Sequence, residues 1–465
     1  MDTVDSLELA NMNHTPTLSK LADLAHDYHL ATAPPASTAR MRNLLLDTLG
    51  CSIAGRKHEA VLKASVAAQA LGTDAKAMGL GSLRRLSLIG AMLESGAAIR
   101  ALDFNDFYWG PGIGGHPSDL FGIALPLAQS QSSTLGELLE ATLVGYGLYL
   151  RLLDILAPHG AFDHTTAMTL GAAALSARLF KADRNNMLQT LAMALVRGPA
   201  MGAMREGAIS EAKATAPAVA GISGYMAAQL AMAGLRGPIA AAMGKNGLQA
   251  FVAENADLST LISNPLLDHH LDAVSIKRYP CIGTAQATVS AAQALNSPLQ
   301  MASSPIESLQ VHLGDSPLIR HQSSSAYLHP QDRETADHSF FSLICMTLLD
   351  GTLAPDQFDR RRYLDADVKA LSERLHFHYD LAGAEQGLFS AQIEVRLSNG
   401  QSLQSQALHP PGHPLRPLSA DELARKFLDC ALPHMNQERA DGLIENCLHA
   451  PLYTPISTLL KPLSP

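Results

Sequence analysis

The side chains able to do chemistry in this chain are carboxylates, imidazoles and amines, a set suited to moving protons beside a bound anion. Asp103 and Asp106 stand three apart, a spacing that puts both on one face of a helix. The glycine-rich stretch 110–115 follows and can fold back to bring His116 close. Pro117 suits the first helical position, so His116 is expected beside a helix N-terminus, where partial positive charge and open N–H groups attract a carboxylate. An Asp–His pair there can set the imidazole's tautomer, or either aspartate can simply cap or solvate a helix end. His164 precedes Thr165, Thr166 and a helix of small residues. A lone histidine on an apolar face is commonly structural, and Thr165 can bond a substrate or cap the helix. No charged residue lies between Lys213 and Arg236, so the Lys213 amine either snorkels to solvent or meets an anion. Lys277 and Arg278 are adjacent cations, a pattern that also fits a solvated surface pair.

These groups need a scaffold, and 465 residues are too many for one compact core, so two domains are expected. Aromatic residues make up only 5%, with one tryptophan, while alanine is abundant; this favours closely packed helices over β-sandwiches. A net charge of −9 argues against nucleic acid as a partner but leaves a small anionic substrate open. The five cysteines form no C-x-x-C pair and their number is odd, which fits a reduced cytosolic compartment. The first residues carry acids and no arginine, unlike a signal or transit peptide. The uncharged run after Lys213 is rich in Ala, Gly, Ser and Thr, and reads as a buried helix rather than a membrane span. No G-x-G-x-x-G follows a strand, and there is no P-loop and no G-x-S-x-G, so nucleotide and redox cofactors are not expected. The pairs His269-His270 and His376/His378 offer no complete metal site.

From about residue 17 to 265 the periodicity is helical, as in Leu88, Ile89, Met92, Leu93 and Ala97 and in the run 134–156. The character changes near Ser275. Residues 308–314 alternate as a strand does, and 389–408 read as a hairpin turning at Asn399-Gly400. Helical segments 285–295 and 340–350 lie between, and after His413 the pattern is helical again. The expected architecture is mainly α with an inserted α/β domain. The helical domain would comprise 1–267 and 409–465, and the α/β lid 268–408.

The segment ALDFNDFYWGPGIGGHPSDLFGIALPLA, 101–128, resembles the signature of the MmgE/PrpD family, in which an Asp-rich helix end leads through a loop to His-Pro-Ser. Other segments resemble the family in its order. They are LLLDTLGCSIAG at 44–55, His164-Thr165-Thr166, Arg205-Glu206-Gly207-Ala208-Ile209-Ser210 with Lys213, the run from Ile276 to Cys281 with Lys277, and Ala336-Asp337-His338-Ser339 before Leu349-Asp350-Gly351. Two stretches depart from the pattern. Thr284 and Ala285 stand where the family commonly has a histidine, and Ala-Thr-Ala-Pro-Ala replaces a polar run after Lys213.

The resemblance implies a helical domain with an α/β lid, and a cofactor-independent lyase of a small polycarboxylic acid. Dehydration of a 2-methylcitrate-like acid leads. Decarboxylation of a cis-aconitate-like acid and epimerisation of a dicarboxylate are the rivals, and a degenerate member serving as a binding protein or recruited to specialised biosynthesis is a further alternative. In all three reactions negative charge grows beside a carboxylate or on an enediolate oxygen, so cations and hydrogen-bond donors must meet it. The resemblance implies catalytic roles for Asp103, His116, His164, Lys213 and Lys277, and substrate-binding roles for Asp106, Thr165, Arg278 and His338, with His338 able instead to cap a lid helix. It further implies a homodimer without a cofactor; Asp, His and two lysines as candidates argue against a metal, the cysteines point to the cytoplasm, and charge and composition leave neither nucleic acid nor membrane as an expected partner.

Overall fold

The computed structural model describes residues 17–156, 162–205, 209–243, 246–250, 252, 258–381 and 389–463. The first 16 residues, read above for targeting signals, and Glu206, Gly207 and Ala208 of the lysine segment lie outside the described residues. The chain forms two compact units. The first comprises Met1–Ala101, Asn105–Ser275 and Ala420–Pro465; the second comprises Leu102–Phe104 and Ile276–Ser419.

The principal elements, in chain order, begin with helices α1 (Pro35–Gly55), α2 (Glu59–Gln69) and α3 (Leu88–Arg100). A short hairpin follows, β1 (Tyr108–Trp109) with β2 (Gly114–Gly115), then α4 (Phe121–Ser130), α5 (Leu135–Ile155), α6 (Thr165–Leu179), α7 (Arg184–Arg197) and α8 (Ala212–Met232). The second unit contains α9 (Gln286–Ala302), β3 (Ile306–Gly314), α10 (Phe340–Asp350), β4 (Leu375–Leu381), β5 (Ala391–Leu397) and β6 (Ser402–Ala407). Helices α11 (Ala420–Ala431) and α12 (Gln437–His449) return to the first unit.

In the first unit α5 starts at a capping box: the Thr134 hydroxyl accepts from the Glu137 N–H and the Glu137 carboxylate accepts from the Thr134 N–H. It packs against α6, and the two backbones touch because the contact is glycine on glycine. A Cβ on Gly171 would lie 2.7 Å from the Gly145 carbonyl oxygen. Helix α8 lays Ala214, Ala218, Gly221, Ala227, Ala228 and Ala231 against its neighbours, with Val219 and Gln229 left exposed. The uncharged run is thus buried along one face only, since small side chains make a narrow stripe. Among the described residues no helix is long and apolar enough to cross a membrane. Helix α11 packs on α1, where Lys426 meets Asp47 at 2.5 Å with both side chains buried.

The second unit carries one sheet of order β4-β3-β5-β6. Strand β3 is parallel to β4 and antiparallel to β5, with Val311 opposite Ile393. Period-two alternation points Ala391, Ile393, Val395 and Leu397 inward, where α9 and α10 supply Val289, Leu295, Phe340 and Ile344 to the same core. Burying each large aliphatic or aromatic side chain contributes roughly 1.5–3 kcal/mol. Ser339 caps α10 by accepting from the Ser342 N–H at 3.1 Å, and Gly351 closes it at φ 73°.

One expectation is overturned. Helix α3 ends at Arg100, so Asp103 and Asp106 do not share a helix face. Asp103 has φ 48°, in the left-handed region that a short polar side chain tolerates better than most. The chain passes into the second unit at Leu102 and back into the first at Asn105, which assigns the two aspartates to different units.

Candidate acid–base site

In the first unit, β1 and β2 pair Tyr108 with Gly115 and so turn the chain back on itself. This brings His116 to the start of the segment: its Nδ1 lies 2.7 Å from the backbone oxygen of Asp106. A backbone carbonyl, rather than an aspartate side chain, therefore meets Nδ1 of this imidazole. The carboxylate of Asp106 has another task. It accepts from the Ser118 N–H at 3.0 and 3.1 Å, from the Ser118 hydroxyl at 2.6 Å and from the Tyr146 hydroxyl at 3.0 Å. The helix end after His116 is a 3₁₀ turn, Pro117–Leu120, leading into α4, and its Ser118 N–H is already met by Asp106. Burial pushes the Asp106 carboxyl up to about 6, against the lowering effect of the Ser118 and Tyr146 hydrogen bonds.

A second polar layer backs this turn. Arg100 donates to Asn105 at 3.2 Å, and Asn105 donates to the Ser118 hydroxyl at 3.0 Å and to Asp119 at 2.9 Å. All four side chains are buried, so the network holds the His-Pro-Ser segment in one geometry.

His164 sits at the N-terminus of α6 and 6% exposed. Its ring centroid is 5.5 Å from that of His116, with the planes at 70°. The Tyr149 hydroxyl joins the two: it accepts from the His116 N–H at 2.9 Å and lies 3.0 Å from His164 Nδ1. The Asp163 carboxylate accepts from the Thr165 N–H at 3.0 Å and from the Thr165 hydroxyl at 2.8 Å, so Asp163, not Thr165, meets the open N–H at this helix start. Lys213, 1% exposed, is the second residue of α8, and its N–H donates to the Ser210 carbonyl at 3.1 Å.

The second unit holds a separate charged cluster. Lys277, with no exposed side-chain surface, donates from Nζ to the Asp103 carboxylate and to the Asp103 carbonyl at 2.9 Å. His338 bonds through Nδ1 to Asp337 and places Nε2 3.6 Å from the other Asp103 oxygen. Asp103, Asp337 and His338 lie close enough together to ligate a cation. The Lys277 ammonium already pairs with Asp103 there, and its fixed charge opposes a divalent ion. Burial pushes the neighbouring Cys281 thiol up. Arg278 is half-buried, and Gln286 accepts from its N–H at 3.0 Å. Thr284, at a position where the family commonly has histidine, donates to Gln322 at 2.7 Å.

The structure thus groups Asp106, His116, His164 and Thr165 in the first unit, and Asp103, Lys277 and His338 in the second. Sequence reasoning did not single out Tyr146, Tyr149, Asn105 or Asp337. Tyr146 and Tyr149 did carry a signal: they are two phenol hydroxyls three apart in the uncharged stretch 143–150, and a buried tyrosine needs a hydrogen-bond partner.

A helical unit with buried paired imidazoles, joined to a four-stranded α/β unit with a buried Lys–Asp pair, defines a two-domain class of protein. Residues 19–261 match the MmgE/PrpD N-terminal domain and residues 279–450 the MmgE/PrpD C-terminal domain. The chain belongs to the MmgE/PrpD family. It is 26% identical over 445 residues to cis-aconitate decarboxylase of Homo sapiens, covering 92% of this chain and 90% of that one. It is 25% identical over 426 residues to cis-aconitate decarboxylase of Mus musculus, covering 87% and 84%.

Proposed function

We propose that this protein is a lyase of a small polycarboxylic acid, working without a cofactor, with dehydration of a 2-methylcitrate-like acid as its leading reaction. The observation that carries this reading is the pair of buried imidazoles, His116 and His164, with ring centroids 5.5 Å apart. An imidazole both takes and gives a proton near neutral pH. In dehydration one histidine takes the proton from carbon beside a carboxylate. The C–H electrons become the new C=C bond, the C–O bond breaks, and the same histidine returns the proton to the departing hydroxide as water. The other ring donates a hydrogen bond to the enediolate oxygen on which charge builds. Lys213 is assigned to a substrate carboxylate. Asp106, its oxygens engaged by Ser118 and Tyr146, holds the His116 turn in place. Roles for Lys277, Asp103, Arg278 and His338 in holding substrate rest on the motif resemblance. The homodimer also rests on it, and the cytoplasmic location on five buried free thiols.

Decarboxylation is the second reading, favoured by the names of the two relatives. There the C–C bond to the carboxylate breaks, carbon dioxide leaves, and an imidazolium supplies the proton to carbon. Incubating the full chain with citrate, 2-methylcitrate and cis-aconitate, read by mass spectrometry, separates the two by loss of water or of carbon dioxide. His116→Ala should cost about 10²–10⁴ in kcat. No mass change with any of these acids would refute the lyase reading.

A further inference from the structure

We propose that Tyr149 is a positioning residue that holds His116 and His164 in opposite tautomers, making His116 the proton-accepting ring and His164 the hydrogen-bond-donating one. This rests on the acid–base reading above and says which imidazole does what.

A carbonyl oxygen only accepts, so the 2.7 Å contact between the Asp106 oxygen and His116 Nδ1 requires a hydrogen on Nδ1. In the neutral ring the lone pair then lies on Nε2. The His116 backbone N–H only donates, and it gives its hydrogen to the Tyr149 oxygen at 2.9 Å. The phenol's own hydrogen must still go somewhere. Tyr149 is fully buried, and among the described residues the acceptor within reach is His164 Nδ1 at 3.0 Å. A hydrogen on that Nδ1 would leave the phenol hydrogen buried and unbonded, which costs more than any gain from the reversed contact. Burial also keeps the phenol protonated, by pushing Tyr149 well above its usual range. Neutral His164 therefore carries its hydrogen on Nε2, the edge that lies 3.9 Å from the Asp163 carboxylate.

In this pair of tautomers the two rings differ in function. His116 accepts the substrate proton at Nε2 and later returns it to the leaving hydroxide. His164 keeps its proton and meets the enediolate oxygen with an N–H. The arrangement depends on Gly115, where a Cβ would stand 2.2 Å from the Tyr149 hydroxyl.

Neutron diffraction from the perdeuterated full chain reads the hydrogens directly and needs no substrate. The expected result is deuterium on His116 Nδ1 and on His164 Nε2, with the Tyr149 deuterium aimed at His164. Deuterium on His164 Nδ1 overturns the proposal. With whichever of cis-aconitate and 2-methylcitrate is turned over, Tyr149→Phe should lower kcat about 10–100-fold, a typical cost for removing an orienting partner. KM should stay within about twofold. Gly115→Ala, which displaces the phenol without removing it, should act in the same direction. Wild-type kcat in Tyr149→Phe also overturns the proposal. A wild-type chain inert toward every acid defeats the lyase reading alone, and the deuterium positions still decide this one.

Discussion

Removing the charge of Asp103 should destabilise the second unit through Lys277. The Lys277 side chain has no exposed surface, and its ammonium is matched by the Asp103 carboxylate and by the Asp103 carbonyl at 2.9 Å. Asparagine is the informative replacement, because it tolerates the left-handed φ of 48° that alanine would strain. Breaking a buried ion pair by removing one partner costs about 3–5 kcal/mol, since the other charge stays buried. The carbonyl contact survives in Asp103→Asn, which places the expected loss near the lower end, about 3 kcal/mol. At about 2–4 °C per kcal/mol, the melting transition should fall by roughly 6–12 °C. Lys277→Met should cost a similar amount by taking the ammonium away from the buried Asp103 carboxylate. The double variant should cost clearly less than the sum, because no unpaired charge remains. The assay is urea unfolding of the full chain followed by circular dichroism, for the wild type, both single variants and the double. If the two losses add within about 0.5 kcal/mol, the sites are energetically independent and the reasoning about the buried pair fails.

Asp106, raised to about 6 in the fold from an ordinary 3.8, binds its proton more tightly folded than unfolded. Its contribution to stability is therefore fully present below about 3.8 and lost as pH rises through about 6, a change of about 3 kcal/mol. Urea unfolding at pH 4 and pH 7.5 should show the wild type losing that much more than Asp106→Asn over this interval; parallel behaviour of the two would contradict it. Lys426→Ala takes the paired ammonium away from the buried Asp47 carboxylate and should lower stability by about 3–5 kcal/mol while leaving kcat unchanged, read by unfolding and steady-state rates. Exhaustive treatment with a chelator should leave activity intact, and its loss with recovery on adding back a divalent metal would overturn the metal-free reading.

Much of the fold was legible because periodicity is a local property. The limits of α10 at Phe340–Asp350, the start of α11 at Ala420 and the turn at Asn399-Gly400 all stand in the sequence as spacing, caps and turn residues. The end of α3 was not legible. Nothing in the run from Ala101 to Asp106 announces that Asp103 takes a left-handed turn, because that conformation depends on the carboxylate meeting Lys277, 174 residues away. The half-exposure of α8 was hidden for a related reason: small uncharged residues suit either a buried or a half-buried face.

The sequence by itself determined the mainly α architecture with its α/β portion, the family, and the residue types of the site, since each is written in short motifs and their order. Only the tertiary structure decided what those residues do to one another. It gave the Asp106 carboxylate to Ser118 and Tyr146 and the Asp106 carbonyl to His116, and it set one tyrosine hydroxyl of α5 between two histidines. Hydrogen-bond direction depends on which atoms face each other across a fold. Chain spacing does not encode it, because the partners are brought together by the packing of helices far apart in the sequence.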